Sequence, residues 1–119
     1  MWVMRKDYDI HERIFTFVVR GLKVPRNIPK TIESKTLIDQ YVRSLTSVGA
    51  NDNEADGVSS KKDFIHVYTI VRKELKETRY WLRIIATTYI QLEPRLKQLV
   101  QENEELIKIV SSIIVSAAK

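Results

Sequence analysis

The sequence predicts an all-α protein, an antiparallel up-down four-helix bundle that occupies residues 1–119 as a single domain. Apolar residues recur at intervals of three and four along most of the chain, which is the spacing of one face of an α-helix. No stretch alternates apolar and polar residues as a half-buried strand does. The connections between the predicted helices are short, and short connections place consecutive helices side by side and antiparallel.

The first two predicted helices run from about residue 9 to 24 and from about residue 33 to 55. Pro25 ends the first, because the residue before a proline is disfavoured in the helical conformation. In the second, Gly49 lowers the helix propensity, so we expect close packing against a neighbouring backbone at that point. Gly57 follows the second helix at a position where a left-handed residue commonly ends a helix.

The last two predicted helices run from about residue 60 to 89 and from about residue 93 to 117. Ser60 and Asp63 match a capping box at the start of the third helix. Each of these helices carries an apolar seam, a line of residues at alternating steps of four and three that packs against neighbouring helices. The two seams comprise Phe64, Tyr68, Val71, Leu75, Thr78, Leu82 and Ile85, and Leu92, Leu96, Leu99, Asn103, Leu106, Val110 and Ile113. Asn103 is either buried, where it could fix the helix register, or at the margin of a slightly rotated helix.

Positive charge is concentrated in one part of the chain. The formal net charge is +5 at pH 7, and residues 58–91 hold seven Lys/Arg against three acids. Residues 92–119 hold four of each and are neutral. A basic excess on one element favours polyanionic partners. The alternative is a solvated face that keeps the protein soluble.

A basic row on one face of the third helix is the candidate nucleic-acid site. The row steps four, three and four and consists of Arg72, Lys76, Arg79 and Arg83, with Lys73 beside it. Such a row could neutralise phosphates along a strand, and Tyr80 could stack on a base. In the alternative interpretation, Glu74 and Glu77 pair across the surface, the row is merely solvated, and Tyr80 and Trp81 belong to the core.

A polar stripe follows one face of the second helix. Its members are Gln40, Arg43, Ser47, Asn51 and Glu54, at steps of three, four, four and three. The stripe could form a binding surface or an inter-subunit seam, or it could satisfy polar groups within the bundle. We expect a structural or interface role. Arg43 and Glu54 are too far apart along the helix to pair directly.

The end of the fourth helix predicts self-association. Apolar residues cover most of its circumference there, namely Ile107, Ile109, Val110, Ile113, Ile114 and Val115. A helix that is apolar all round is buried all round, and a single four-helix bundle leaves one face of each helix outside. We therefore expect Ile109, Ile113 and Ile114 to contact another subunit. The alternative is a frayed, sticky end of the helix.

One stretch has a weak likeness to a calcium loop. Positions 1, 3, 5, 6 and 12 of an EF-hand are occupied by Asp52, Glu54, Asp56, Gly57 and Asp63. The glutamate at the third position is longer than the usual ligand, and the last position holds an aspartate in place of the bidentate glutamate. We expect a helix end, a loop and a cap here, and no bound calcium.

No residue set specifies a reaction. The chain has no cysteine, and His11 and His66 are far apart in sequence and match no zinc or catalytic spacing. We therefore expect no enzymatic activity, no metal and no cofactor. The longest apolar run, residues 113–115, is too short to span a bilayer, and the N-terminus lacks a signal peptide's apolar region. These features predict a soluble, cytoplasmic protein without a membrane partner.

Residues at fixed spacings in the second and third predicted helices match motifs of one bacterial family of small four-helix bundles. The second helix carries Gln-x-x-Arg-Ser-x-x-Ser-Val-x-x-Asn-x-x-Glu over residues 40–54. The third carries Ser-Lys-Lys-Asp-Phe-Ile-His over residues 60–66 and Lys-Glu-x-x-Glu-Thr-x-Tyr-Trp-Leu over residues 73–82. On these motifs the chain resembles the 23S rRNA intervening-sequence proteins over most of its length. It departs at Gly49, where many relatives carry proline, and at Ala55, where glycine is frequent.

The resemblance implies a four-helix bundle that assembles as a ring, a homopentamer, with no known enzymatic activity. A similar fold occurs in the accessory variability determinant of diversity-generating retroelements, a basic pentameric barrel that binds nucleic acid and a reverse transcriptase. By this analogy we expect a non-enzymatic oligomer that binds RNA or single-stranded DNA, with a protein partner such as a nucleic-acid enzyme. The alternative is a scaffold whose basic face docks an acidic protein. A small-molecule or metal-dependent activity ranks last.

Overall fold

Four α-helices packed in antiparallel fashion form the described part of the chain, and this confirms the predicted fold class. The computed structural model describes the backbone of residues 5–119 and the side chains from residue 10 onward. The helices are α1 (Arg5–Gly21), α2 (Ile32–Ala55), α3 (Lys61–Thr88) and α4 (Glu93–Ala118). Two 3₁₀ turns, Val24–Asn27 and Ile90–Leu92, lie in the connections before α2 and before α4.

Each helix packs mainly against its two neighbours in the cyclic order α1, α2, α3, α4 and back to α1. The bundle measures 46 × 23 × 18 Å. In this cyclic arrangement the α1/α2 edge lies opposite the α3/α4 edge. No described helix is long and apolar enough to cross a membrane.

The helix caps differ from those that the sequence predicts. A full capping box begins α2, because the Ser34 N–H donates to Thr31 Oγ1 at 3.2 Å and the Thr31 N–H donates to Ser34 Oγ at 2.8 Å. At α3 only half of the predicted box forms, through the Asp63 N–H that donates to Ser60 Oγ at 3.1 Å. The left-handed conformation predicted for Gly57 is wrong, since no described glycine has a positive φ.

The predicted seams of α3 and α4 lie in the core, and every member of both is buried. Asn103 is fully buried, so its predicted alternative place at the helix margin is wrong. Neither its side-chain oxygen nor its side-chain nitrogen has a hydrogen-bond partner within the described residues. An unpaired buried amide is costly, so Asn103 sits in the core at the expense of stability.

Two glycines allow α1 and α2 to approach closely. A Cβ atom at Gly21 would lie 2.7 Å from Leu45 Cδ2 and 2.8 Å from Tyr41 Oη, closer than packed atoms tolerate. Tyr41 Oη donates to the Gly21 carbonyl at 2.8 Å, and burial raises the pKa of the Tyr41 phenol. A Cβ at Gly49 would lie 3.2 Å from Val18 Cγ2, so the predicted close packing is against a side chain of α1.

The apolar end of α4 is covered largely by the chain itself. Ile113 is buried within the bundle, and Ile109 and Ile114 pack against the same core. Val115 remains 58% exposed. The burial of these isoleucines therefore needs no second subunit, which was the reason for placing them at a subunit contact.

Candidate nucleic-acid interface

A groove between α3 and α4 collects most of the basic row on α3. The groove encloses about 720 Å³, within the range of roughly 300–1,000 Å³ that ligand clefts occupy. Lys76, Arg79 and Arg83 line it from α3, and Lys97 lines it from α4. We call it the α3/α4 groove. Its other lining residues include Tyr80, Ala86, Leu96, Val100, Glu93 and Glu104.

The α3/α4 groove has a net positive charge, since four cations face two carboxylates. One cation is already paired, because Arg79 Nη1 lies 3.2 Å from Glu104 Oε1. Both side chains of this pair are more than two-fifths exposed, so the pair is solvated and contributes little to stability. Lys76 and Arg83 are exposed and form no ion pair within the described residues.

The remaining two residues of the predicted row lie outside the groove lining. Lys73 is exposed on the outer face of α3, and Arg72 is half-buried. The structure therefore brings three of the five predicted site residues together in one groove. It adds Lys97, which no motif marked, because the segment that contains it is neutral as a whole.

Tyr80 and Trp81 have different environments. Tyr80 is 55% exposed and lines the α3/α4 groove, where its ring could stack on a base. Trp81 packs against the core and meets the Tyr80 ring edge-on, with 5.1 Å between the ring centroids. The prediction of a core position therefore holds for Trp81 and is wrong for Tyr80.

The polar stripe of α2 lies along α3. Arg43 forms ion pairs with Glu77 and with Glu74, the latter at 3.6 Å. Ser47 Oγ donates to Glu74 Oε2 at 3.2 Å, and Asn51 Nδ2 donates to Ser47 Oγ at 3.0 Å. Glu74 and Glu77 are therefore engaged by α2, so they do not neutralise the basic row on their own helix. Of the remaining predicted stripe members, Gln40 is half-buried and Glu54 is exposed.

A buried carboxylate joins α1, α2 and α3. Tyr68 Oη donates to Asp52 Oδ1 at 2.6 Å, and His11 Nδ1 lies 2.8 Å from the same oxygen. Asp52, the first position of the calcium-loop likeness, is thus committed to an internal network, while Asp56 is exposed. Among the described residues, no group of three His, Cys, Asp or Glu side chains is placed to hold a metal ion.

Sequence comparison assigns the family. A family model described as 23S rRNA-intervening sequence protein matches residues 6–112. The chain belongs to this family. All lining residues of the α3/α4 groove fall within the matched part.

Structural comparison with the solved structures agrees with this family. A crystal structure from Bacteroides thetaiotaomicron, of a protein with unknown function from the S23 ribosomal protein family, is similar with a TM-score of 0.78. It shares 28% sequence identity, and the match covers 88% of this chain and 97% of that one. No curated protein matches the chain significantly.

Proposed function

We propose that this chain is a non-enzymatic, oligomeric member of its family that binds RNA or single-stranded DNA through the α3/α4 groove. One observation carries the proposal: cations from two helices, Lys76, Arg79 and Arg83 on α3 and Lys97 on α4, converge on a groove with an exposed aromatic ring. Neutralisation of phosphates by such cations releases counterions and supplies most of the affinity of sequence-independent binding.

The position of Tyr80 supports a single strand as the ligand. A base must be unstacked from its neighbours before a side chain can stack on its face, and single strands offer such bases. Tyr80 lies among the groove cations with more than half of its side chain exposed. The groove therefore combines the two features, charge and an aromatic platform, that sequence-tolerant binding of single strands uses.

We also propose that copies of the chain assemble into a ring, a homopentamer, as the family resemblance implies. Three apolar side chains, two on α1 and one directly after it, form an exposed stripe that supports self-association: Phe15, which is 66% exposed, Val19 and Leu22. This stripe offers more exposed apolar surface than Ile109, Ile113 and Ile114 do. A ring would repeat the α3/α4 groove in every subunit and raise the effective concentration for a long strand.

The proposed function is tested by charge reversal within the groove. Lys76→Glu with Arg83→Glu should lower the affinity for a labelled single-stranded RNA or DNA of about twelve nucleotides by at least a hundredfold. The matched control, Lys35→Glu with Lys62→Glu, makes the same change in net charge at exposed lysines outside the groove lining. An equal loss in both double variants would mean a diffuse charge effect, and no loss in either would remove the proposed function.

A docking site for an acidic protein is the second candidate. The Arg79–Glu104 pair supports this candidate, because it shows that a cation of the groove can form an ion pair with a carboxylate. The two candidates differ in one observable. A protein partner bound to the groove should stay bound after nuclease treatment and should be released by Lys76→Glu with Arg83→Glu.

A further inference from the structure

A second basic groove lies on the other side of α4, between α4 and the end of α1. It encloses about 250 Å³, and Arg20, Lys23 and Asn27 line it opposite Arg95. We call it the α1/α4 groove. Its floor consists of Val24, Leu92, Leu96 and Leu99. Arg95 is held toward the 3₁₀ turn that follows α1, because its Nη1 donates to Asn27 Oδ1 at 3.2 Å.

The cations of the α1/α4 groove have no carboxylate partner among the described residues. Arg20, Lys23 and Arg95 are exposed and take part in no ion pair within the described residues. The sequence explains part of this, since residues 13–32 contain five Lys/Arg and no Asp or Glu. The carboxylate of α4 that faces α1, Glu102, is engaged by Arg13 through two hydrogen bonds of 2.7 and 3.1 Å.

The outer face of α4 connects the two basic grooves. Leu96 lines both of them, so they flank the same turns of the helix. Gln98 and Gln101 are exposed on these turns and carry no charge. A single α-helix with its side chains is about 10 Å across, so a short single strand can pass from one groove to the other. Along this route the amides of Gln98 and Gln101 offer hydrogen bonds to sugar or phosphate oxygens.

We propose that a bound single strand does not end in the α3/α4 groove but crosses α4 over Gln98 and Gln101 into the α1/α4 groove. There Arg20, Lys23 and Arg95 contact its phosphates. This inference rests on the proposed function and extends its site. The full site then spans four cations on one side of α4 and three on the other. Strands long enough to reach both grooves bind more tightly than strands that fill only one.

The inference is tested with two lengths of labelled single-stranded RNA, about four and about twelve nucleotides. Arg20→Glu with Lys23→Glu should lower the affinity for the longer strand by at least about tenfold. It should also reduce the slope of log affinity against log salt by about 1.4, the effect of two lost phosphate contacts. The affinity for the shorter strand should stay within about twofold of the wild type. Lys35→Glu with Lys62→Glu is the control, and helical circular dichroism checks the fold of each variant.

Three results would overturn the inference, and they are distinguishable. If Arg20→Glu with Lys23→Glu leaves the longer strand bound as tightly as in the wild type, while Lys76→Glu with Arg83→Glu weakens it, the strand is confined to the α3/α4 groove and the proposed function stands. Equal losses of affinity for the shorter and the longer strand would indicate a long-range electrostatic effect of the two substitutions. The strand would then not cross α4. Failure of the wild type to bind either strand at low salt would remove the proposed function itself.

Discussion

Two opposite edges of the same bundle differ in chemistry although their helices pack alike. The α3/α4 groove is basic and carries an exposed tyrosine. The α1/α2 groove encloses about 420 Å³, and its lining combines small or apolar residues such as Phe15 and Val18 with the acidic residues Glu12, Asp52 and Asp56. It contains no lysine or arginine. One edge therefore suits a polyanion. The other, whose lining has acidic residues and neither lysine nor arginine, does not.

The difference arises at the positions that flank the buried seams. In both helix pairs the buried residues between the helices are mainly apolar, with Thr78 and Asn103 as exceptions in the seams of α3 and α4. Beside the seam, α3 carries Lys76 and Arg83, whereas α1 carries Phe15 and Val19. A four-helix bundle tolerates either kind of residue there, because flanking side chains reach solvent in both cases. The fold therefore does not determine the binding chemistry of an edge. The residues that flank each seam determine what that edge can bind.

Self-association is expected to depend on the exposed apolar stripe of Phe15, Val19 and Leu22. Phe15→Glu with Val19→Glu places two charges in the exposed apolar stripe, and we expect the assembly to dissociate to monomers. Mass measurement in solution by light scattering checks this, and circular dichroism should remain helical because both residues are exposed. Lys76→Glu with Arg83→Glu is the matched control and should keep the assembled mass. If the wild type is a monomer, or if the α1 variant keeps the assembled mass, the proposal that the α1 stripe mediates self-association is contradicted.

Stacking is expected to distinguish the α3/α4 edge from a merely charged surface. Tyr80→Ala should lower the affinity for a single strand by about 1–3 kcal/mol, because it removes the aromatic platform and leaves every cation in place. Tyr80→Phe should retain the affinity, since the ring is kept. Fluorescence anisotropy with a labelled strand measures both variants. If Tyr80→Ala binds as well as the wild type, the groove acts through charge alone.

Close packing is expected to matter most on the α1/α2 edge. Gly21→Ala should lower the free energy of unfolding by about 1–3 kcal/mol, because its Cβ would displace the buried ends of Leu45 and Tyr41. Urea unfolding followed by circular dichroism measures the change. Gly57→Ala is the control, since its Cβ would meet only a backbone oxygen at 3.6 Å. Equal stability of the Gly21 variant and the wild type would show that the two helices can separate slightly without cost.

Asn103 gives the smallest expected effect. Leucine has the same branched skeleton without polar atoms, so Asn103→Leu should raise the free energy of unfolding by about 1 kcal/mol. The gain comes from removing a buried amide that has no hydrogen-bond partner in the part of the chain that the structure describes. Urea unfolding at constant assembled mass measures it. A loss of stability would indicate that the amide is satisfied, for example by a buried water.

The fold could be predicted from the sequence because its determinants are local. The steps of four and three along α3 and α4 mark the same residues that the bundle buries. The predicted start of the first helix, about residue 9, is four residues later than the observed start of α1 at Arg5. The ends of helices depend on a few backbone hydrogen bonds, so they are the least predictable part.

The composition of the grooves could be predicted only in part, because each groove joins residues that are distant in sequence. The basic row on α3 is a pattern within one helix and is visible in the sequence. The contribution of Lys97 depends on how α4 is rotated against α3, which no local pattern encodes. The same holds for Glu74 and Glu77, which pair with Arg43 on α2 instead of with their own helix.

The salt dependence of binding tests the central claim most directly. The logarithm of the wild-type affinity for a labelled single strand of about twelve nucleotides should fall linearly with log salt, while the assembled mass stays constant. Four cations in the α3/α4 groove predict a slope of about −2.8, and contacts in the α1/α4 groove make it steeper. Lys76→Glu with Arg83→Glu should reduce that slope by about 1.4. No binding at low salt, or a slope that this variant leaves unchanged, would contradict the claim that the α3/α4 groove neutralises phosphates.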